Sequence, residues 1–369
     1  MTARMVAFHL TDRCNLNCQH CLRDPDLRPT DLAIDVIERV LDQAVNGYRI
    51  GLVALTGGEP FLHPQFDRVL DAIVARGMQW HAVTNGSRLP QMLASFEEKP
   101  ERLAQMARLY FSLDGAEEKT HDEIRGQGSY REVMRAISLC TMWEKPFVLQ
   151  MVVNAKNVDE IEAFGLQAAI LGAERASFAW MQPTGTHLDE ELFLPRDAWK
   201  RAMSRIDRLN STLRIPVGMP EGFPTREAFS TCGPWMSHTL HVNVEGQLSL
   251  CCQLAGVPSE TGRSDVLADM RTASLFAGHA KMVDVVHELQ KERIAHLEKE
   301  GLKAWDDYSC NWCLKQFGKP HWTDEGASGK EAERDRWRGV WADGATGKPS
   351  VRDADQRVHL NIVGNKRES

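Results

Sequence analysis

The sequence has no apolar run long enough to span a bilayer, which would need about 20 residues. Its first apolar stretch, residues 5–10, is broken by Asp12 and Arg13 and is too short for the core of a signal peptide. Positive charge is not in excess either. The formal net charge is −7, which excludes a general electrostatic grip on nucleic acid. No internal repeat is present. The nine cysteines lack the scattered arrangement of a disulfide framework and fall into clustered motifs, so they read as metal ligands in a reducing cytoplasm. What remains is a 369-residue soluble chain, 43% hydrophobic and 26% charged, long enough for more than one average domain.

Strand-like and helical patterns alternate from the N-terminus. Apolar runs at 5–10, 50–56, 79–84, 109–113, 148–153 and 176–181 read as buried strands. Helical periodicity fills the intervals: 31–46 ending at Gly47, 66–74 ending at Gly77, then about 88–106, 129–142 and 157–171. Such alternation implies a parallel sheet with helices outside. It leaves open a flavodoxin-like sheet or a partial (β/α)6 barrel. Polar clusters favour the barrel because they follow the strands one after another: Cys14–Cys21, Gly57–Glu59, Asn85, Asp114 and Asn154. Barrel enzymes carry their chemistry on that single ring of loops. After Pro183 the pattern changes to a helix at about 196–212, a Pro/Gly-rich link, a hairpin turning at Glu245-Gly246, and a charged helix at about 279–300. We divide the chain into a barrel (1–195), a helical linker (196–230), a small α+β domain (231–323) and a polar, loosely ordered tail (324–369).

Cys14, Cys18 and Cys21 form a C-x3-C-x2-C group directly after the first strand. Three thiolates at this spacing can hold three irons of a cubane iron–sulfur cluster and leave the fourth iron open to a substrate. A zinc knuckle is the alternative and requires a fourth ligand. His20 is the local candidate, strained by its place between two of the cysteines.

The segment from Thr11 to Cys21 resembles the signature of the radical S-adenosylmethionine (SAM) superfamily. That resemblance implies a [4Fe–4S] cluster on the three cysteines, SAM on the open iron, and reductive cleavage to a 5′-deoxyadenosyl radical. An electron donor such as flavodoxin or ferredoxin would be a partner. His20 stands where the family usually has an aromatic ring beside the adenine. Gly57-Gly58-Glu59-Pro60 resembles the family's GGE motif, which receives the SAM amino group. Two glycines let backbone come close to a ligand, and Glu59 can accept hydrogen bonds. The string Ser112-Leu113-Asp114-Gly115 with His121 to Gly126 resembles the peptide- and protein-modifying subgroup, in which Ser112 and Arg125 would engage the SAM carboxylate. By the same resemblance Asn85 and Asn154 lie near the ribose or methionine portion, and Pro183 lies beside the adenine.

A second cysteine set comprises Cys232, then Gly246-x4-Cys251, then Cys310-x2-Cys313. It resembles the opening of the SPASM extension of peptide-maturing radical SAM enzymes. No cysteine follows Cys313, which points to the shortened twitch version with one auxiliary [4Fe–4S] cluster. A four-cysteine zinc site is the alternative. Cys252 falls outside the spacing, and Cys140 sits in a helical pattern as an ordinary buried thiol. His63, His241 and His279 form no ligand spacing and read as structural. Trp305, Trp312, Trp322, Trp337 and Trp341 read as anchors for the C-terminal region rather than a substrate cap.

Together these features imply hydrogen abstraction from a substrate C–H bond, with net oxidation or bond formation assisted by the auxiliary cluster. The general base is not identifiable. The leading substrate class is a ribosomally made peptide or a protein, although no leader-peptide-binding segment precedes the cysteines. The alternative is dehydrogenation of a small alcohol such as an aminocyclitol. Molybdenum-cofactor biosynthesis lacks the expected cysteine spacing and terminal di-glycine. A non-enzymatic iron–sulfur protein would yield no 5′-deoxyadenosine.

Overall fold

The computed structural model describes residues 3–22, 29–181, 190–194, 196–219, 232–254, 263–301 and 309–318. Its centre is a run of parallel strands: β1 (Met5–His9), β2 (Leu52–Thr56), β3 (Gln79–Thr84), β4 (Met106–Ser112), β5 (Phe147–Val153) and β6 (Arg175–Trp180), each paired with the next. The helices between them are α1 (Ile34–Tyr48), α2 (Phe66–Val74), α3 (Leu93–Glu98), α4 (Pro100–Ala104), α5 (Glu118–Arg125), α6 (Ser129–Met142) and α7 (Ile161–Ile170). α8 (Arg196–Thr212) follows, and β7 (Val217–Gly218) adds to β6 in parallel.

β1 and β6 stand apart in the strand order, so the six-strand run is not closed on itself. The second neighbour of β1 is instead β8 (Thr239–Val242), parallel to it with Ala7 opposite His241. β9 (Gln247–Ser249) pairs antiparallel with β8, and β10 (Val266–Asp269) with β9. The expected hairpin is therefore present, and it extends the barrel sheet. α9 (Leu275–Glu300) packs on β10 and α1, and the short α10 (Ser309–Gln316) packs on α9. Among the described residues no helix is long and apolar enough to cross a membrane.

Strand alternation separates two environments. Val6, Phe8, Val53, Leu55, Trp80, Leu109, Phe111, Leu149 and Phe178 are fully buried, as expected for the face under the helices. Trp80 meets Phe66 of α2 and Phe96 of α3 there. The alternate residues His9, Thr56, His81, Tyr110, Ser112, Gln150 and Ser177 are polar and half-buried, the character of a barrel interior.

Three departures of the helices from the sequence pattern have a clear local cause. α1 runs through Gly47 and ends at Arg49, which takes the left-handed conformation (φ 54) with its N–H on Val45 O and allows the chain to enter β2. The single helix expected at 88–106 divides at Lys99-Pro100, because proline cannot continue a helix but fits its first turn. α5 was not anticipated, since its apolar stripe is only Ile124 among polar residues.

Candidate active site

The cysteine loop leaves β1 and is fastened to three neighbours. Thr11 pairs with Asp31, whose carboxylate accepts from Thr11 Oγ1 at 2.5 Å and from Arg13 Nε at 3.0 Å. On the β2 side, Gly58 N–H donates to Thr11 O at 2.7 Å and Glu59 N–H to Arg13 O at 2.8 Å. On the α5 side, Gln19 N–H donates to Ile124 O at 3.0 Å. Cys14, Cys18 and Cys21 are half-buried on this loop.

The two glycines serve this closeness. Gly57 has φ 142, and a Cβ there would lie 2.5 Å from Thr11 O, while one on Gly58 would press still closer on Arg13 O. The sequence pattern suggested that they admit a ligand. In the structure, the backbone they admit is that of the cysteine loop itself. Glu59 is likewise engaged by the chain's own groups. It is fully buried, and its carboxylate accepts from Thr84 Oγ1 (2.8 Å) and Asn85 N (2.8 Å), with Phe61 N at 3.4 Å. Burial pushes the Glu59 carboxyl up to about 7, against those hydrogen bonds. Its side chain thus ties the exit of β2 to the exit of β3.

Asn85 is held by that tie beside the cysteines. Its side-chain amide donates to Asn15 Oδ1 at 3.1 Å and stands 4.0 Å from Cys14 Sγ. Arg125, at the end of α5, is buried with Nη1 3.7 Å from Cys18 Sγ. Burial pushes the Cys18 thiol up to about 11, and the guanidinium works against that by favouring the thiolate.

Asp114 connects these parts; the sequence placed it after a strand and in the Ser112–Gly115 string but gave it no role of its own. It is fully buried, and Oδ2 is 2.5 Å from both His20 Nε2 and Arg125 Nε. Burial alone would push its carboxyl up. Arg125 and His20 outweigh that and hold it well below the usual carboxylate range.

Of the other expected site residues, Ser112 lies half-buried at the end of β4, opposite Gln150. Asn154 is committed to its own turn: Nδ2 donates to Val152 O and Oδ1 accepts from Lys156 N. Pro183 lies outside the described residues, as do Trp305, Trp322, Trp337 and Trp341. His63, His241 and His279 bond to Leu32 O, Ser249 Oγ and Tyr48 Oη, and Cys140 is in the core, as expected.

The second cysteine set also converges. Cys232, Cys251, Cys310 and Cys313 line one small pocket with Trp235 and Leu254 among its walls. α10 places Cys310 and Cys313 one turn apart, on the same face. Trp235, another residue the sequence did not single out, donates its indole N–H to Cys313 Sγ at 2.9 Å. Cys252 is exposed and outside the pocket lining. Among the described residues no three His, Cys, Asp or Glu side chains are drawn together around one metal ion.

Comparison with known proteins accords with this geometry. The chain is 29% identical to the AdoMet-dependent heme synthase of Methanosarcina barkeri, over 53% of this chain and 55% of that one. It is also 29% identical to the mycofactocin maturase MftC of Mycolicibacterium smegmatis, over 50% of this chain and 46% of that one. The chain thus spans about half the length of these curated relatives. Among solved structures, anSMEcpe with bound AdoMet superposes with a TM-score of 0.62 at 13% identity, covering 92% of this chain and 96% of that one. The shared fold is a parallel α/β partial barrel followed by an antiparallel C-terminal region. Residues 8–164, which carry the cysteine loop, the double glycine and the Asp114–Arg125 pair, match the model of the Radical SAM superfamily.

Proposed function

We propose that this protein is a peptide-modifying radical SAM enzyme with one auxiliary [4Fe–4S] cluster. The observation that carries the reading is the convergence of Cys232, Cys251, Cys310 and Cys313 on a single pocket, in a region whose sheet continues β1. The similarity to a mycofactocin maturase supports the peptide class. In this reading Cys14, Cys18 and Cys21 hold the SAM cluster. The Gly57-Gly58-Glu59 segment receives the SAM amino group, Ser112 and Arg125 its carboxylate, and His20, Asn85, Asn154 and Pro183 its nucleoside or methionine portions.

When bound, these groups supply one-electron cleavage of SAM, a hydrogen-abstracting radical and an acceptor for the electron left on the substrate. The chain's own work is alignment and exclusion of water. Thr56, Tyr110, Gln150 and Ser177 give the half-buried interior hydroxyl and amide groups that can orient a polar substrate. Arg125 is fixed and desolvated before any ligand arrives, which strengthens its hold on a carboxylate. An external one-electron donor such as a flavodoxin or ferredoxin completes the system.

The test is anaerobic reconstitution with iron and sulfide, followed by SAM, reductant and candidate precursor peptides. About eight irons per chain are expected, falling to about four in the Cys310→Ala/Cys313→Ala variant. About four irons in both proteins would remove the auxiliary cluster, and absence of 5′-deoxyadenosine would remove the enzyme. Similarity to a heme synthase favours a second reading, a small-molecule substrate, including oxidation of an alcohol. Turnover of such compounds with no peptide modified would select it.

A further inference from the structure

We propose that Asp114 is the positioning residue that locks the cysteine loop to Arg125 and balances the guanidinium charge facing Cys18. This concerns how the chain holds its SAM cluster, so it rests on Cys14, Cys18 and Cys21 being the ligands and is independent of the substrate.

Asp114 is itself immobilised from several directions. Val152 N–H donates to Oδ1 at 2.7 Å, Asn157 Nδ2 donates to its carbonyl oxygen at 3.0 Å, and its own N–H donates to His121 Nδ1 at 3.0 Å. These bonds come from β5, the turn after it and α5, so the carboxylate is set by the frame of the barrel. From that fixed point, Oδ2 reaches His20 Nε2 and Arg125 Nε, each at 2.5 Å. His20 lies between Cys18 and Cys21, and Arg125 Nη1 is 3.7 Å from Cys18 Sγ. One oxygen therefore joins the turn before the third cysteine to the cation beside the second. Side-chain exposures of 9% for His20, 9% for Arg125 and 0% for Asp114 leave little water to screen the group.

The arrangement also explains a histidine at a position where the family resemblance leads one to expect an aromatic ring. Phenylalanine could fill the volume, but it could not donate to a buried carboxylate, which would then lose a partner. The charge argument is separate. A cluster's reduction potential responds to nearby net charge and to hydrogen bonds on its sulfurs. The guanidinium now shares its charge with Asp114. Without the carboxylate, the whole cation would act on the cluster and favour its reduced form.

The experiment uses the full chain, reconstituted anaerobically, with two readouts beyond turnover: the midpoint potential of the SAM-responsive EPR signal, and the rate of iron loss to a chelator. Only a cluster with an open iron changes its spectrum on SAM addition, so the auxiliary site does not confuse the reading. Asp114→Asn is expected to shift the potential to more positive values. Asp114→Asn with Arg125→Gln is expected to return it toward the wild-type value. His20→Phe is expected to lose iron faster, by about ten- to a hundredfold, while a cooperative circular dichroism melt of the apoprotein shows that the chain still folds. An unshifted or more negative potential in Asp114→Asn would overturn the charge role. If that variant does not fold, His20→Phe decides: iron loss at the wild-type rate would overturn the lock.

Discussion

Gly58 donates its N–H to the carbonyl oxygen of Thr11 at 2.7 Å, so the turn after β2 is the floor on which the cysteine loop rests. No side chain fits between the two segments. Gly58→Ala is therefore expected to push the loop off this floor, at a cost of about 1–3 kcal/mol. Chemical denaturation of the apoprotein would measure the cost. Iron content after reconstitution would fall with it, because Thr11 and Arg13 lead directly into Cys14.

Glu59 gives a pH signature. Its carboxyl in the folded chain titrates at about 7, above the ordinary 4.5. With the folded value raised, the native state keeps a proton that the unfolded chain has lost. Its contribution is fully present below about pH 4.5 and declines as pH rises through 7, by roughly 3 kcal/mol in total. Apoprotein stability of the wild type relative to Glu59→Gln, measured across this range, should decline with that sign.

Buried histidines act in the opposite direction at lower pH. Burial, aided by His9, lowers His241 from 6.5 to about 3, and burial lowers His81 and His121 to about 4, aided by Arg108 and Arg125. The unfolded chain takes up these protons before the native one does. Stability is therefore lost as pH falls from about 6.5 toward 3. His241→Leu should flatten this acid limb by one proton, about 1.4 kcal/mol per pH unit. Equal slopes in the two proteins would show that His241 does not titrate as its burial requires.

Trp235 offers a test at the other cysteine set. Its N–H on Cys313 Sγ withdraws charge from one thiolate of the proposed auxiliary cluster. Trp235→Phe should keep the iron and move the auxiliary midpoint potential to a more negative value in an anaerobic redox titration.

The frame of the barrel was legible because its strands are continuous apolar runs and its cysteines lie at diagnostic spacings. Trp80 and Phe111 announce buried strands whatever surrounds them. The roles of Gly57, Gly58 and Glu59 were not legible, because their partners Thr11, Arg13 and Thr84 are distant in sequence and carry no pattern of their own. Asp114 was hidden for the same reason. An aspartate after a strand is ordinary, and its meaning appears only when His20, Arg125 and Val152 meet it. The pairing of β8 with β1 joins residues far apart in sequence, and no local periodicity encodes it.

That pairing means the barrel has no natural place to be cut. A chain ended after β7 would bare the edge of β1 along Met5 to Phe8, the strand that launches the cysteine loop. Such an edge is a template for a foreign strand, so truncation invites aggregation rather than yielding a smaller enzyme. During folding, β1 gains this neighbour only after the intervening chain has been made, so the strand that launches the cysteine loop depends on a contact of long sequence separation.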